Sequence, residues 1–451
     1  MAGDTGSVAL RLQSRAVGSA VVPIPAIDAT RVLTGYVLLV MFIPARLVIQ
    51  ALGAAGTPAN VYALVAILWL GATWLFGTLA PAPNTGTPRI LVGFFATAIL
   101  LSYLAVGQRS ASLLETQAAD RGLIQLASWA CVVFLASAGI GDPARLAKLL
   151  RVLVVCASVI AAIGILEFIL GRDLLGWVQI PGLHQNAVAV LTSRGRFARV
   201  SATATHPLEF CSVLIMLLPF ALQQAFDPAR QGKLRRWLPV ALLAGAAPMS
   251  VSRTSILGLG VALAVLLPTW GRKRRWAGVV AIIVGLAGLR AVAPGLIGTL
   301  TKLVLTLVNG GDDSTQARTM DYAGVADFIA RRPAFGMGYG TFLPQLYRYT
   351  DNMYLLAVVE IGFVGVLAMA ALFLGCMYCG AAGRRRSTDE PTRDLGQAFV
   401  AAGAVALVTS ATFDTLSFPM FSGVFFLLLG CAGAYLGMAR RNRDQIVKVI
   451  G

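Results

Sequence analysis

Long apolar runs separated by short polar or glycine-bearing breaks dominate the chain. They fall at about 32–53, 60–80, 90–107, 122–140, 150–170, 207–225, 237–251, 254–270, 276–293, 352–379, 397–415 and 418–439. A helix needs about 20 mostly apolar residues to cross a bilayer. The pattern therefore predicts an all-α, polytopic integral membrane protein of about 12 transmembrane helices. No cleaved signal peptide is expected, because the first thirty residues contain no apolar core of about 7–15 residues. Nor is an internal repeat visible. The expected organisation is a tail at 1–31, a membrane domain at 32–439 and a second tail at 440–451.

Composition supports this reading. Hydrophobic residues make up 57% of the 451, charged residues 13%, and the mean hydropathy is +0.76, whereas a soluble domain carries about 25% charged residues. The net charge of +17 leaves nucleic acid, a membrane surface or an anionic substrate open, and placement decides between them. With both termini taken as cytoplasmic, 23 of the 37 basic residues lie on the inner side, in compact clusters such as Arg272-Lys273-Arg274-Arg275 and Arg384-Arg385-Arg386. That is the positive-inside pattern, so most of the excess sets topology and no nucleic-acid partner is expected. Two long segments, 171–206 after the fifth span and 294–351 after the ninth, are then left outside. All six cysteines fall in apolar runs and read as packing residues. Cys376 and Cys379 have CxxC spacing but no second pair and no nearby histidine, so no metal is expected.

Charges inside spans are costly, about 2.5–3.5 kcal/mol each near the bilayer centre, and mark cavities or pathways. Arg46, Glu167, Glu209, Arg253, Arg290, Glu360 and Asp414 all sort to the outer half of their spans. A transporter would rather carry them near the midplane. Arg46 and Arg290 fit equally well as side chains snorkelling to the interface.

Within 294–351, Ser314 and Thr315 offer an N-cap to a helix running to Arg332, ahead of Pro333. At 100° per residue, Arg318, Tyr322, Val325 and Ile329 share one face of it. An arginine on such a face either pairs with an anion, its planar fork suiting phosphate oxygens, or is solvated or paired with a carboxylate. The run Gly336-Met337-Gly338-Tyr339-Gly340 lacks the preceding strand of a dinucleotide-binding loop and reads as a tight turn. Asp351 and Tyr354 share a face at the mouth of the tenth span, with Asn352 between them. Asp351 fits either a proton acceptor or an N-cap, while Glu360 is expected to pair inside the bundle. The two histidines, His184 and His206, are too few for a metal site. His206, before Pro207, fits a helix cap as well as a catalytic role.

These residues resemble the O-antigen ligase and polymerase superfamily of bacterial membrane glycosyltransferases, which includes exopolysaccharide polymerases. The resemblance rests on Arg199 to Pro207, Ser252-Arg253-Thr254, Arg331-Arg332-Pro333 through Gly338, Asp351-Asn352-Met353-Tyr354-Leu355 and Glu360-Ile361-Gly362. It covers roughly 195–365. It implies transfer or polymerisation of a glycan from an undecaprenyl-diphosphate carrier to a glycan or lipid-linked glycan acceptor at the outer face of the cytoplasmic membrane, by inversion, without cofactor or metal. Membrane lipid is the surrounding partner. Carried over by position, Arg253 and Arg318 with Asp351 would be catalytic, and Arg199, His206, Tyr322, Asn352, Tyr354 and Glu360 would contact substrate. Lipopolysaccharide ligases carry histidine where this chain has Asp351. An unperturbed aspartate, with a pKa of about 3.9, is a weaker base, and the departure favours polymerase over ligase. A transporter or flippase of lipid-linked glycans is the alternative; it predicts charges through both leaflets.

Overall fold

The computed structural model describes residues 28–75, 86–186, 193–194, 197–227, 232–292, 298 and 324–450. Among the described residues, twelve helices of 14 residues or more run in chain order as α1 (Ala29–Phe42), α2 (Pro58–Leu75), α3 (Thr87–Val106), α4 (Leu113–Gly139), α5 (Pro143–Leu170), α6 (Pro207–Phe226), α7 (Lys233–Ala246), α8 (Arg253–Leu266), α9 (Arg272–Val292), α10 (Met353–Arg386), α11 (Glu390–Thr409) and α12 (Pro419–Ile450). Each matches one apolar run of the sequence. Strand structure among the described residues is limited to two-residue pairs, Leu47–Val48 with His184–Gln185 and Ser193–Arg194 with Phe197–Ala198.

Six of these helices (α3, α4, α5, α6, α10 and α12) are long and apolar enough to cross a membrane, and a seventh span arises if the bent pair Gln50–Gly56 and Pro58–Ala72 counts as one. The others fall short for local reasons. The run at 32–53 is not one helix: α1 ends before Pro44, the chain extends to pair with residues 184–185, and a 3-10 turn containing Gly53 at φ 52° meets α2 at 85°. Pro248 and Pro268 likewise sit in the 3-10 turns that finish α7 and α8, because proline cannot donate to the helical ladder.

Helix α12 is the hub. Its most apolar stretch is buried on all sides, as expected of a helix apolar all round, and it packs on α4, α10 and α6. Trp129 of α4 stacks on Phe426 at 4.6 Å, and Phe373 of α10 lies 4.8 Å from Phe425.

Hydrogen bonds define two ends. One carries the basic clusters: Arg274 pairs with Glu390 and Asp394 at 2.7 and 3.0 Å, Gln397 reaches the Val265 carbonyl, and Arg441 reaches that of Gly141. At the other end the N-termini of α6, α8, α10 and α12 meet the ends of α5 and α11. This gathering brings the positive ends of four helix dipoles together.

Candidate functional site

Each of the four helix starts has its backbone amides answered by a different group. His206 caps α6, its Nδ1 accepting from the Leu208 amide at 3.2 Å. Ser252 caps α8 by accepting from Thr254 at 3.1 Å. Asn352 caps α10, its side-chain oxygen accepting from Tyr354 and Leu355 at 2.9 and 3.4 Å. The α12 start is served from outside, by Glu209 of α6, whose carboxylate accepts from Met420 and Phe421 at 2.7 and 3.2 Å and from Thr205 at 2.7 Å.

This chemistry positions two arginines. Arg199, half-buried, donates through Nε to the Ser250 carbonyl at 3.1 Å, which brings it beside the start of α8, where half-buried Arg253 is the first helical residue. The only positive-φ residues other than glycine among those described flank this pair: Ala202 at 48° and Val251 at 47°, both buried. Such a backbone is costly for a residue with a Cβ and more so for β-branched valine, and it persists only where the surroundings enforce it. Here they do. The Ala202 amide is held by Glu167 at 2.9 Å, and the Val251 amide donates to Pro248.

Asp351 is exposed just ahead of α10. Since Asn352 makes the cap, the capping alternative for Asp351 falls away and its carboxylate stands at the mouth. Tyr354, half-buried, donates its hydroxyl to the Leu407 carbonyl at 2.6 Å and so ties α10 to α11. His206 is pushed down to about 4, by burial first and then by the charge of Arg199, so it is neutral at physiological pH.

Glu360 is buried, and it serves the backbone. Its carboxylate accepts from the Phe342 amide at 3.1 Å, and its carbonyl takes Ser102 Oγ at 2.6 Å and the Gly338 amide at 2.9 Å. The carbonyl is available because α10 is broken at Gly362 (φ 66°, ψ −173°). The glycine run lies along the break: Met337 donates to Val359 at 3.0 Å and Phe363 to Pro333 at 2.8 Å. Gly336, Gly338 and Gly340 all have positive φ, so the tight-turn reading of the run holds, and the turn also satisfies backbone groups that the broken helix leaves open.

Arg318 and Tyr322 lie outside the described residues, as does the Ser314-Thr315 cap. Of their expected helix, 324–331 is described, with Val325 fully buried and Phe328 packed on Phe342 and Tyr347. Arg46 does not snorkel. It is buried against Asp173 at 3.2 Å, whereas Arg290 is exposed.

Three residues absent from the sequence-derived site enter here. Arg109 pairs with Glu115 at 2.6 Å and donates to the Met337 carbonyl, and Tyr347 donates to Glu115 at 2.7 Å, so the α3–α4 turn clamps the segment before Asp351. Local sequence gave one sign of this, the Ser112/Glu115 capping box; the contacts with residues 337 and 347 are too distant in the chain to be read. A cavity of about 610 Å³ opens at the opposite, basic end between Gln223, Arg386, Asp389 and Tyr435. None of the proposed site residues lines it.

The fold and this end of the bundle define an all-α membrane protein whose polar chemistry is assembled from helix starts and connecting segments. Residues 238–370, less than a third of the chain, match the O-antigen ligase family, so the resemblance to the O-antigen ligase/polymerase superfamily is shown over that segment. The match spans Arg253, Asp351, Asn352, Tyr354 and Glu360, and stops short of Arg199 and His206. No curated protein matches the chain. The family supports a glycosyltransferase-type enzyme of glycan ligation or polymerisation.

Proposed function

We propose that this protein transfers or polymerises a glycan from an undecaprenyl-diphosphate carrier, at the outer face of a bacterial cytoplasmic membrane, by a metal-independent, inverting displacement. The observation that carries the reading is that Arg199 donates to the Ser250 carbonyl, three residues before Arg253, the first residue of α8. Two guanidinium groups and a helix N-terminus suit a diphosphate, and they stabilise the charge that develops on the leaving group. The resemblance adds Arg318 and Tyr322, which lie outside the described residues, to the groups that contact this substrate.

The acceptor hydroxyl approaches from the side of Asp351, with His206, Asn352, Tyr354 and Glu360 shaping the surroundings. Attack at the anomeric carbon from the face opposite the diphosphate inverts its configuration. In this reading both termini are cytoplasmic and the segments 171–206 and 294–351 lie outside, with the shorter helices completing the membrane bundle around the six long spans. Aspartate at position 351 favours polymerase over lipid A-core ligase.

Deleting the gene tests the assignment through the lipid-linked pool. Single repeats left on the carrier identify a polymerase, and long chains stranded there a ligase. An unchanged surface glycan and carrier pool would overturn the reading.

A further inference from the structure

Residues 347–353 carry the chain to the start of α10, and they are fastened almost residue by residue. Tyr347 donates its hydroxyl to buried Glu115 at 2.7 Å, and its ring stacks on that of Phe342 at 4.9 Å. Glu115 is itself held by Arg109 at 2.6 Å and by the Ser112 amide at 2.7 Å. Arg348 lies against Gly324, where an added Cβ would run into its guanidinium. Thr350 is buried, at 8% exposure. Asn352 caps α10, and the Met353 amide donates to the Ser410 carbonyl at 2.9 Å.

Between these anchors the side chains alternate. Tyr349 is 78% exposed, Thr350 points in, and Asp351 is exposed again. That is the register of an extended chain, in which residues i and i+2 share a side. Two residues of chain span at most about 7 Å, so one small ligand can meet both side chains. The anchors on either side present the pair on a fixed backbone. Among the described aromatic residues only Trp177 is as exposed, at 79%, and its indole N–H is tied to the Leu174 carbonyl at 2.8 Å. The Tyr349 ring stands open beside a carboxylate.

A sugar ring asks for this combination. One of its faces bears C–H groups, which pack on the flat π-face of an aromatic side chain, and the hydroxyls at its edge donate to carboxylate oxygens. Resting on the glycan transfer proposed above, we infer that Tyr349 and Asp351 form a subsite for the acceptor glycan, in which a sugar ring stacks on Tyr349 while one of its hydroxyls donates to Asp351. The carboxylate assigns the subsite to the acceptor, since the donor's diphosphate is the part that suits Arg199 and Arg253. Tyr349 thus contacts substrate and orients the attacking hydroxyl, and it takes no proton.

The test uses the full chain in liposomes, with lipid-diphosphate-linked glycan from a deletion strain as donor. Surface glycan of the same strain, freed from its lipid anchor, serves as acceptor, and each is titrated against a saturating level of the other. Tyr349→Ala should raise the acceptor KM about 10-fold and leave the donor KM nearly unchanged. Tyr349→Phe and Tyr349→Trp, which keep a flat ring, should recover most of the acceptor affinity, whereas Tyr349→Leu, apolar without a π-face, should not. The phenylalanine and leucine variants decide the matter if the alanine variant fails to fold. A wild-type acceptor KM in Tyr349→Ala, or as large a loss in Tyr349→Phe, would overturn the subsite while transfer itself stands. So would full recovery by Tyr349→Leu or an equal rise in both KM values, the behaviour of a side chain that only anchors the protein at the membrane interface. Absence of transfer by wild type, or equal transfer by Arg253→Ala, would overturn the glycan-transfer reading and the subsite with it.

Discussion

At the scale of single residues, the site divides into groups that hold backbone and groups left to face a substrate. Glu167, Glu209 and Glu360 were legible in the sequence as charges out of place, but their use was not. Each accepts amide hydrogens from a distant segment, and such partners cannot be read from spacing. Asn352 and His206 likewise make caps; that of His206 was readable from its place before Pro207, whereas the sequence pointed to Asp351, one residue early, as the cap of α10. The arginines are the reverse case: their residue type announced anion binding, while the hydrogen bond from Arg199 to Ser250, three residues before Arg253, required the fold. Arg253→Ala should lower transfer by about 10²–10³-fold, the scale of losing one charge-stabilising donor, and Arg253→Lys should recover only part because it lacks the planar fork. Steady-state transfer rates measure both.

His206 gives a stability prediction with a defined sign. Its folded pKa of about 4 lies below the unfolded value of about 6.5. The contribution is therefore fully present above about pH 6.5 and is lost as pH falls toward 4. Melting of the detergent-solubilised protein should show this acid loss, and His206→Asn, which keeps a capping oxygen, should reduce it. An identical pH dependence in the variant would remove His206 from the account.

At the scale of elements, existence and order were readable and boundaries were not. Every apolar run became a helix, because apolar length specifies a buried or membrane-facing helix. What composition could not convey was the break in α10, since glycine inside a helix signals only a modest penalty. Here Gly362 adopts φ 66°, and an added Cβ would run into the Ala334 carbonyl. Gly362→Ala should destabilise the protein by about 1–3 kcal/mol from backbone strain alone, with more from the clash, seen as a lower melting temperature. It should also reduce transfer, because the displaced 333–342 segment leads directly to Asp351. An unaltered melt would show that the turn along the break is dispensable. The same limit applies to the run at 32–53, where Pro44 and Gly53 turned an expected span into a helix, a short strand and a 3-10 turn.

At the scale of the whole molecule, the separation of a basic end from an end built on helix starts is the structural counterpart of the charge asymmetry in the sequence. The proposed orientation is directly measurable. All six native cysteines are buried, so single introduced cysteines report without background. Thr388→Cys, at the basic end, should resist a membrane-impermeant thiol reagent in intact cells, and Tyr349→Cys, on a side chain 78% exposed at the other end, should react. The reversed pattern would place the site on the cytoplasmic side and leave the carrier's glycan out of its reach.

In the proposed reaction Arg199 and Arg253 hold a lipid diphosphate while its glycan is transferred. The most direct measurement is release of free undecaprenyl diphosphate by the purified protein in liposomes supplied with the lipid-linked glycan and acceptor. Release in step with glycan transfer, lost in Arg253→Ala and Arg199→Ala while both variants remain folded, is the predicted result. Wild-type release by both variants, or none by the wild type, would contradict it.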